Sequence, residues 1–186
     1  MTAQEIVLVR HGQTEWNRAG RLHGRSDLPM NAAGLEQSKL AAMALGASGS
    51  WDAVASSPLF RARQCAQIIA DQLQIASVAE YPELMEMDFG ASEGMLVAGL
   101  SEAQTALLMS QGETEEHLVE RAINALFKIS AQHPGQRVIV VTHEVLIRSV
   151  LAALGQPGTS QVANGQCTTL PLGQLANYVS RQPLWH

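Results

Sequence analysis

Residues 5–12 read Glu5-Ile6-Val7-Leu8-Val9-Arg10-His11-Gly12, and the fold follows from how that stretch is read. Ile6 to Val9 is apolar without interruption and mostly β-branched. A strand with one wet face alternates apolar and polar side chains. A run that does not alternate is buried on both faces, as in a parallel sheet covered by helices. The run ends abruptly in a cation, an imidazole and a glycine. In open parallel sheets ligands lie beyond the carboxyl ends of the strands, so Arg10 and His11 stand where chemistry is done.

Working outward, residues 12–30 lack periodicity and read as a loop. Asn31 can cap a helix running to about Leu45, with Leu35, Leu40, Met43 and Ala44 on one face. Residues 52–56 predict a second strand. Pro58 predicts the first position of a helix running to about Leu73. Residues 77–79 predict a short third strand, and 100–109 a short helix. Thr114 opens a helix to about Gln132, its first turn carrying Glu115 and Glu116 where the dipole favours acids. Residues 137–142 are the strongest strand pattern in the chain, followed by His143 and a helix over about 145–154. Residues 166–170 and 175–180 read as a terminal hairpin joined through Pro171 to Gln174.

Strands alternating with helices predict a doubly wound, mostly parallel α/β sheet with helices on both faces. We read residues 1–186 as one domain with a small cap-like insertion at about 86–118. The strand ends then bring Arg10, His11, the Ser56-Ser57-Pro58 turn with Arg61 behind it, and His143 to one edge.

The 186 residues carry a net charge of −5, with 46% hydrophobic and 16% charged residues, which excludes a disordered chain. No run of Lys or Arg is present, so neither nucleic acid nor a membrane surface is expected as partner. No apolar run approaches membrane-spanning length. Four apolar residues after Glu5 are too short and too acidic for a signal peptide, so a cytoplasmic location is expected. Ten Arg stand against two Lys, which favours a site for planar oxyanions. Cys65 and Cys167 read as buried thiols in a reducing compartment.

His11 has the residue types of phosphoryl chemistry around it. Cations beside an imidazole suppress its protonation, and the neutral ring is the nucleophilic form. The same cations can hold a phosphoryl group in transfer. No paired-His helix spacing and no CxxC suggest a metal, and no cofactor is expected. Gly90-Ala91-Ser92-Glu93-Gly94 fits the nucleophile-elbow pattern, but no strong strand precedes it.

Leu8-Val-Arg-His-Gly-Gln-Thr-Glu-Trp-Asn17 resembles the signature of the histidine phosphatase superfamily, in its phosphoglycerate-mutase-like branch. The resemblance continues in order through residues 22–31, Ser56 to Ala66, Leu84 to Gly94, Gly112 to Glu116 and Val141 to His143. It implies that His11 is the nucleophile, that Arg10, Arg61 and His143 line a phosphate pocket, and that Asn17 adds a neutral donor. It implies Glu86 as the acid that protonates the leaving oxygen and then the base that activates water, with Glu93 a weaker candidate. Thr14, His23, Gly24 and Glu144 are further candidate substrate contacts. The acidic run Glu113 to Glu116 reads as a charged helix start.

This chain departs from the family pattern at Ser92, where Trp is usual, at Glu144, where Gly is usual, and at His23. We read Glu144 as pointing outward, a helix-start acid. The resemblance implies a metal-independent phosphatase acting on a small phosphorylated metabolite through a phosphohistidine. Mutases of this kind carry a larger insert before the second His, whereas here only residues 94–142 separate Glu93 from His143. A mutase and a non-catalytic phosphate-binding module are the alternatives. Oligomeric state is not legible.

Overall fold

The structure, a computed structural model, describes residues 4–156 and 161–181. Five strands form one sheet in the order β3-β2-β4-β1-β5. They are β1 (Glu5–Arg10), β2 (Ala53–Ser56), β3 (Val78–Glu80), β4 (Arg137–Thr142) and β5 (Cys167–Thr169). β1 pairs in parallel with β4, and β2 pairs in parallel with both β3 and β4; β5 alone runs antiparallel, against β1. The helices among the described residues are α1 (Glu15–Arg18), α2 (Ala32–Ala47), α3 (Phe60–Leu73), α4 (Glu102–Met109), α5 (Glu115–Gln132), α6 (Glu144–Ala153) and α7 (Leu172–Arg181).

The unbroken apolar runs of the two central strands feed two cores. Because successive strand side chains point to opposite faces, Ile6, Leu8, Val138 and Val140 pack on one side with Leu118, Leu126, Ile129, Leu146 and Val150 of α5 and α6. Val7, Val9, Ile139 and Val141 pack on the other with Ala42, Ala66 and Ile69 of α2 and α3. This is the doubly wound, mostly parallel sheet that the strand composition predicts.

Three local expectations are corrected. Leu175 to Ser180 is not the second strand of a hairpin. It lies within helix α7, which Pro171 opens by accepting from Leu175 N–H at 3.0 Å. Leu172, Leu175, Tyr178 and Val179 lie against the larger core at helical spacing. In α2 the buried face is Gly34, Ser38, Ala41, Ala42 and Leu45, whereas Leu40 and Met43 are 62% and 59% exposed. Small side chains face inward there because α2 packs closely on α3. Pro58 precedes rather than opens α3, whose N-cap is Leu59.

The other caps follow the sequence. Asn31 Oδ1 accepts from Gly34 N–H at 2.9 Å, and Thr114 caps α5 by accepting from His117 N–H. The start of α2 presses on the backbone after β1. Asn31 N–H donates to Gln13 O, and Gln13 N–H to the Gln37 side chain. A Cβ on Gly12 would overlap the carbonyl of Gly34, and one on Gly34 would overlap the backbone of Gln13. That backbone contact seats the loop after β1 on α2.

Gly34→Ala is therefore expected to lose about 1–3 kcal/mol of stability, the usual cost of forcing atoms into a filled space. Urea unfolding at fixed slope measures it, and an unchanged midpoint contradicts the contact.

Candidate active site

The carboxyl edges of β1, β2 and β4 carry the side chains the sequence nominated. Arg10 ends β1, His11 follows it, Ser57 follows β2, and His143 follows β4 as N-cap of α6. The His11 and His143 rings lie edge to face, with centroids 5.1 Å apart. His11 is 3% exposed, and Arg61 and His143 are fully buried.

Hydrogen bonding assigns the state of His11. Arg61 Nε can only donate, and it lies 3.1 Å from His11 Nε2. So Nε2 is the bare nitrogen, and Nδ1 carries the ring hydrogen, donated to Gly12 O at 2.7 Å. Burial, with Arg61 and Arg10 alongside, holds this imidazole well below its ordinary range, so it stays neutral. His143 is held down in the same way, by burial first and then by Arg61. Its Nε2 lies 2.8 Å from Ser57 Oγ, and its buried Nδ1 has no hydrogen-bond partner among the described residues.

Arg61 has every arm engaged. NH1 donates to Ser26 O at 3.0 Å and NH2 to Gly24 O at 2.6 Å. Burial brings its guanidinium down to about 10, still a cation at neutral pH. The loop that supplies these carbonyls is itself fixed by Glu93, whose carboxylate accepts from Arg25 N–H, Ser26 N–H and Ser26 Oγ at 2.5–2.7 Å. Partial burial works to raise Glu93, but these bonds win and hold it below the carboxylate range. Glu93 thus braces a loop and does not line the pocket.

Glu86 has the environment of an acid-base group. It is 3% exposed and accepts from the N–H groups of Met87 at 2.9 Å, Val145 at 3.0 Å and Leu146 at 3.1 Å. Val145 and Leu146 are the second and third residues of α6, so this carboxylate caps a helix whose own N-cap, His143, makes no side-chain cap bond. Burial raises its pKa, against the pull of those N–H groups and of Arg61.

A cavity of about 190 Å³ opens onto this edge, lined by Arg10, His11, Asn17, His23, Glu86 and Glu144 among the predicted residues. Arg21, Leu22, Phe89, Met109, Val145 and Arg148 also line it and were missed. Arg148 stands one turn beyond Glu144 on α6, and that spacing was the available signal. Thr14, Gly24, Arg61 and His143 are not among its lining residues, and Arg61 lies behind His11. Thr14 caps α1, accepting from Asn17 N–H, and its hydroxyl donates to His23 Nδ1 at 3.1 Å. His23 Nε2 donates to Ser26 O, and burial, then Arg61, lowers this ring to about 4. Gly24 supplies the carbonyl for Arg61, and a Cβ there would strike Glu93 and Met87 O.

Glu144 is a further correction. It does not point outward. Its Oε2 lies 2.8 Å from Arg10 NH1, because the first turn of α6 begins directly beside the end of β1. Glu113 also departs from its expectation. It is a buried acceptor for Arg121 Nε and NH2, both at 2.7 Å, while Arg121 also donates to the carbonyls of Glu83, Met85 and Glu86. Burial alone would raise Glu113, but Arg121 overrides it and brings it to about 2. Ser92 sits buried in a 3-10 turn that no strand directly precedes, and it does not line the cavity beside His11. Among the described residues no group of three or more His, Cys, Asp or Glu is arranged to hold a metal ion.

Comparison with known proteins agrees with this geometry. The model of the histidine phosphatase superfamily, branch 1, matches residues 6–175. A metal-independent phosphoserine phosphatase of Arabidopsis thaliana is 37% identical over 168 residues, covering 84% of this chain and 71% of that one. The uncharacterized phosphatase PhoE of Bacillus subtilis is 32% identical over 154 residues, 83% and 78% of the two chains. A mutant phosphoserine phosphatase of Entamoeba histolytica, solved with phosphoserine, superposes with a TM-score of 0.76 at 25% identity over 89% of each chain. The buried His11–Arg61 pair, the second histidine at the next strand end and a family match over most of the chain lead to one conclusion: this protein belongs to branch 1 of the histidine phosphatase superfamily.

Proposed function

We propose that this protein hydrolyses small phosphomonoesters through a phosphohistidine on Nε2 of His11. The observation that carries the reading is the Arg61 Nε–His11 Nε2 hydrogen bond at 3.1 Å, with Nδ1 turned to Gly12 O. It leaves a neutral ring whose only lone pair faces cations. The phosphatase names of similar proteins support the reaction class, and phosphoserine is the natural first substrate to try.

In the forward step Arg61 Nε turns its N–H from Nε2 to a phosphoryl oxygen, and the freed lone pair forms the P–N bond as the P–O bond to the alcohol breaks. Arg61 and Arg10 offset the charge on the three phosphoryl oxygens. The Nδ1 of His143, without a partner among the described residues, donates to one of them once Nε2 accepts the Ser57 hydroxyl. Asn17 contributes from its amide nitrogen, since its Oδ1 accepts from Thr14 N–H. Glu86 gives its proton to the leaving alkoxide. In the second step its carboxylate takes a proton from water, which attacks phosphorus; the P–N bond breaks and the electron pair returns to Nε2. Burial suits Glu86 to this, because a raised pKa keeps the acid form present at higher pH than an exposed carboxyl allows.

Acid-labile, base-stable phosphate should appear on His11 when the reaction with phosphoserine or p-nitrophenyl phosphate is quenched. His11→Ala should abolish both adduct and turnover; an adduct on another residue or undiminished turnover defeats the reading.

Glu86→Gln should cut turnover roughly 10²–10⁴-fold with poor leaving groups, the range for one positioned proton-transfer group. With p-nitrophenyl phosphate the loss should be smaller wherever formation of the phosphoenzyme limits the rate. Above the raised pKa of Glu86 the wild-type rate on poor leaving groups should fall as the acid form is lost, and Glu86→Gln should lack that alkaline limb. A normal rate and an unchanged pH profile in Glu86→Gln would remove it from the mechanism.

A further inference from the structure

Two carboxylates meet at the first turn of α6, and they are held differently. Glu86 is taken up by backbone N–H groups. Glu144, the first residue of the helix, reaches across to Arg10, with Oε2 at 2.8 Å from NH1. That NH1 also donates to Val162 O at 2.5 Å, while the buried Nε of Arg10 has no partner among the described residues. Both side chains line the cavity beside His11, and the Glu144 side chain is still 26% exposed.

The charge around the cavity makes this pair consequential. The imidazoles of His11, His23 and His143 are kept neutral by burial and neighbouring arginines, so they offer dipoles rather than charge. Positive charge around the cavity comes from the arginines of its lining, Arg10 among them, and from Arg61 behind His11. Glu144 offsets the one next to the nucleophile. A phosphoryl dianion entering beside His11 meets a guanidinium already paired, with a second anion held against it. Like charges sharing one cation repel, and the repulsion grows in a partly enclosed site.

We propose that Glu144 is an internal competitor for Arg10, and that it weakens the grip of the pocket on phosphoryl dianions, above all on inorganic phosphate, the expected product. The role rests on the reading of this cavity as a phosphoryl site. It makes the site slow to be blocked by its product. The same repulsion acts on substrate, so the cost falls on KM. The opposite role, a brace that orients Arg10 toward the anion, requires phosphate binding to weaken when the carboxylate is removed.

Inorganic phosphate and vanadate binding, measured by calorimetry without turnover, separates these roles. The proteins compared are the wild type, Glu144→Gln and Glu144→Ala, each at low and high salt. About tenfold or greater tightening in both variants at low salt, narrowing as salt screens the repulsion, is the expected result. Glu144→Asp keeps a charge at the helix start but draws it back from Arg10, so it should tighten binding part of the way even if the other variants fold poorly. Wild-type binding with equal or weaker binding by variants of normal melting temperature overturns the competitor role alone. Absence of phosphate and vanadate binding in every protein overturns the phosphoryl-site reading and this proposal with it.

Discussion

A guanidinium sealed from water cannot tolerate an idle arm, and Arg61 obeys that constraint. Each of its three nitrogens donates to a fixed acceptor, one of them the bare nitrogen of His11. Removing one partner of such a group leaves a buried charged donor unsatisfied, a loss of about 1–3 kcal/mol or more. The loop that carries Gly24 and Ser26 must therefore hold its carbonyls in place, and Glu93 holds it by accepting from three donors of that loop. The ring state of His11, the course of the 24–26 loop and the use of Glu93 all follow from burying one arginine.

The Glu86 side of the site answers to a different constraint, the open N–H groups of a helix start. Glu86 satisfies two of those of α6 from outside the helix, so its carboxylate has a fixed address beside His11. The segment around it has little regular structure. Arg121 compensates by donating to three successive-turn carbonyls, those of Glu83, Met85 and Glu86, while Glu113 balances its charge. Both halves of the site thus depend on an ion or ion pair whose backbone partners are distant in sequence.

Where local pattern and packing agreed, the chain was readable. Asn31 and Thr114 cap the helices their positions implied, because a cap bond spans three residues and needs no distant partner. Where packing decided, pattern misled. Leu40 and Met43 look like a core face, yet α2 turns its small residues toward α3 and leaves them wet. The segment after Pro171 has β-branched and aromatic members but becomes α7, since its apolar residues meet the larger core at helical rather than alternating spacing.

The residues of β1 and β4 determined the sheet by themselves, because a run apolar on both faces has no other stable place. They also determined that Arg10, His11 and His143 stand at one edge, since all three directly follow or end those strands. Only the tertiary structure decided what each group is. The same carboxyl side chain became a buried helix-start acceptor at Glu86, a loop brace at Glu93, a clamp at Glu113 and a counter-charge at Glu144. Sequence places charges along a chain, but desolvation and the partners that reach across the fold set their protonation and their direction, and those partners are contacts between residues far apart in the chain.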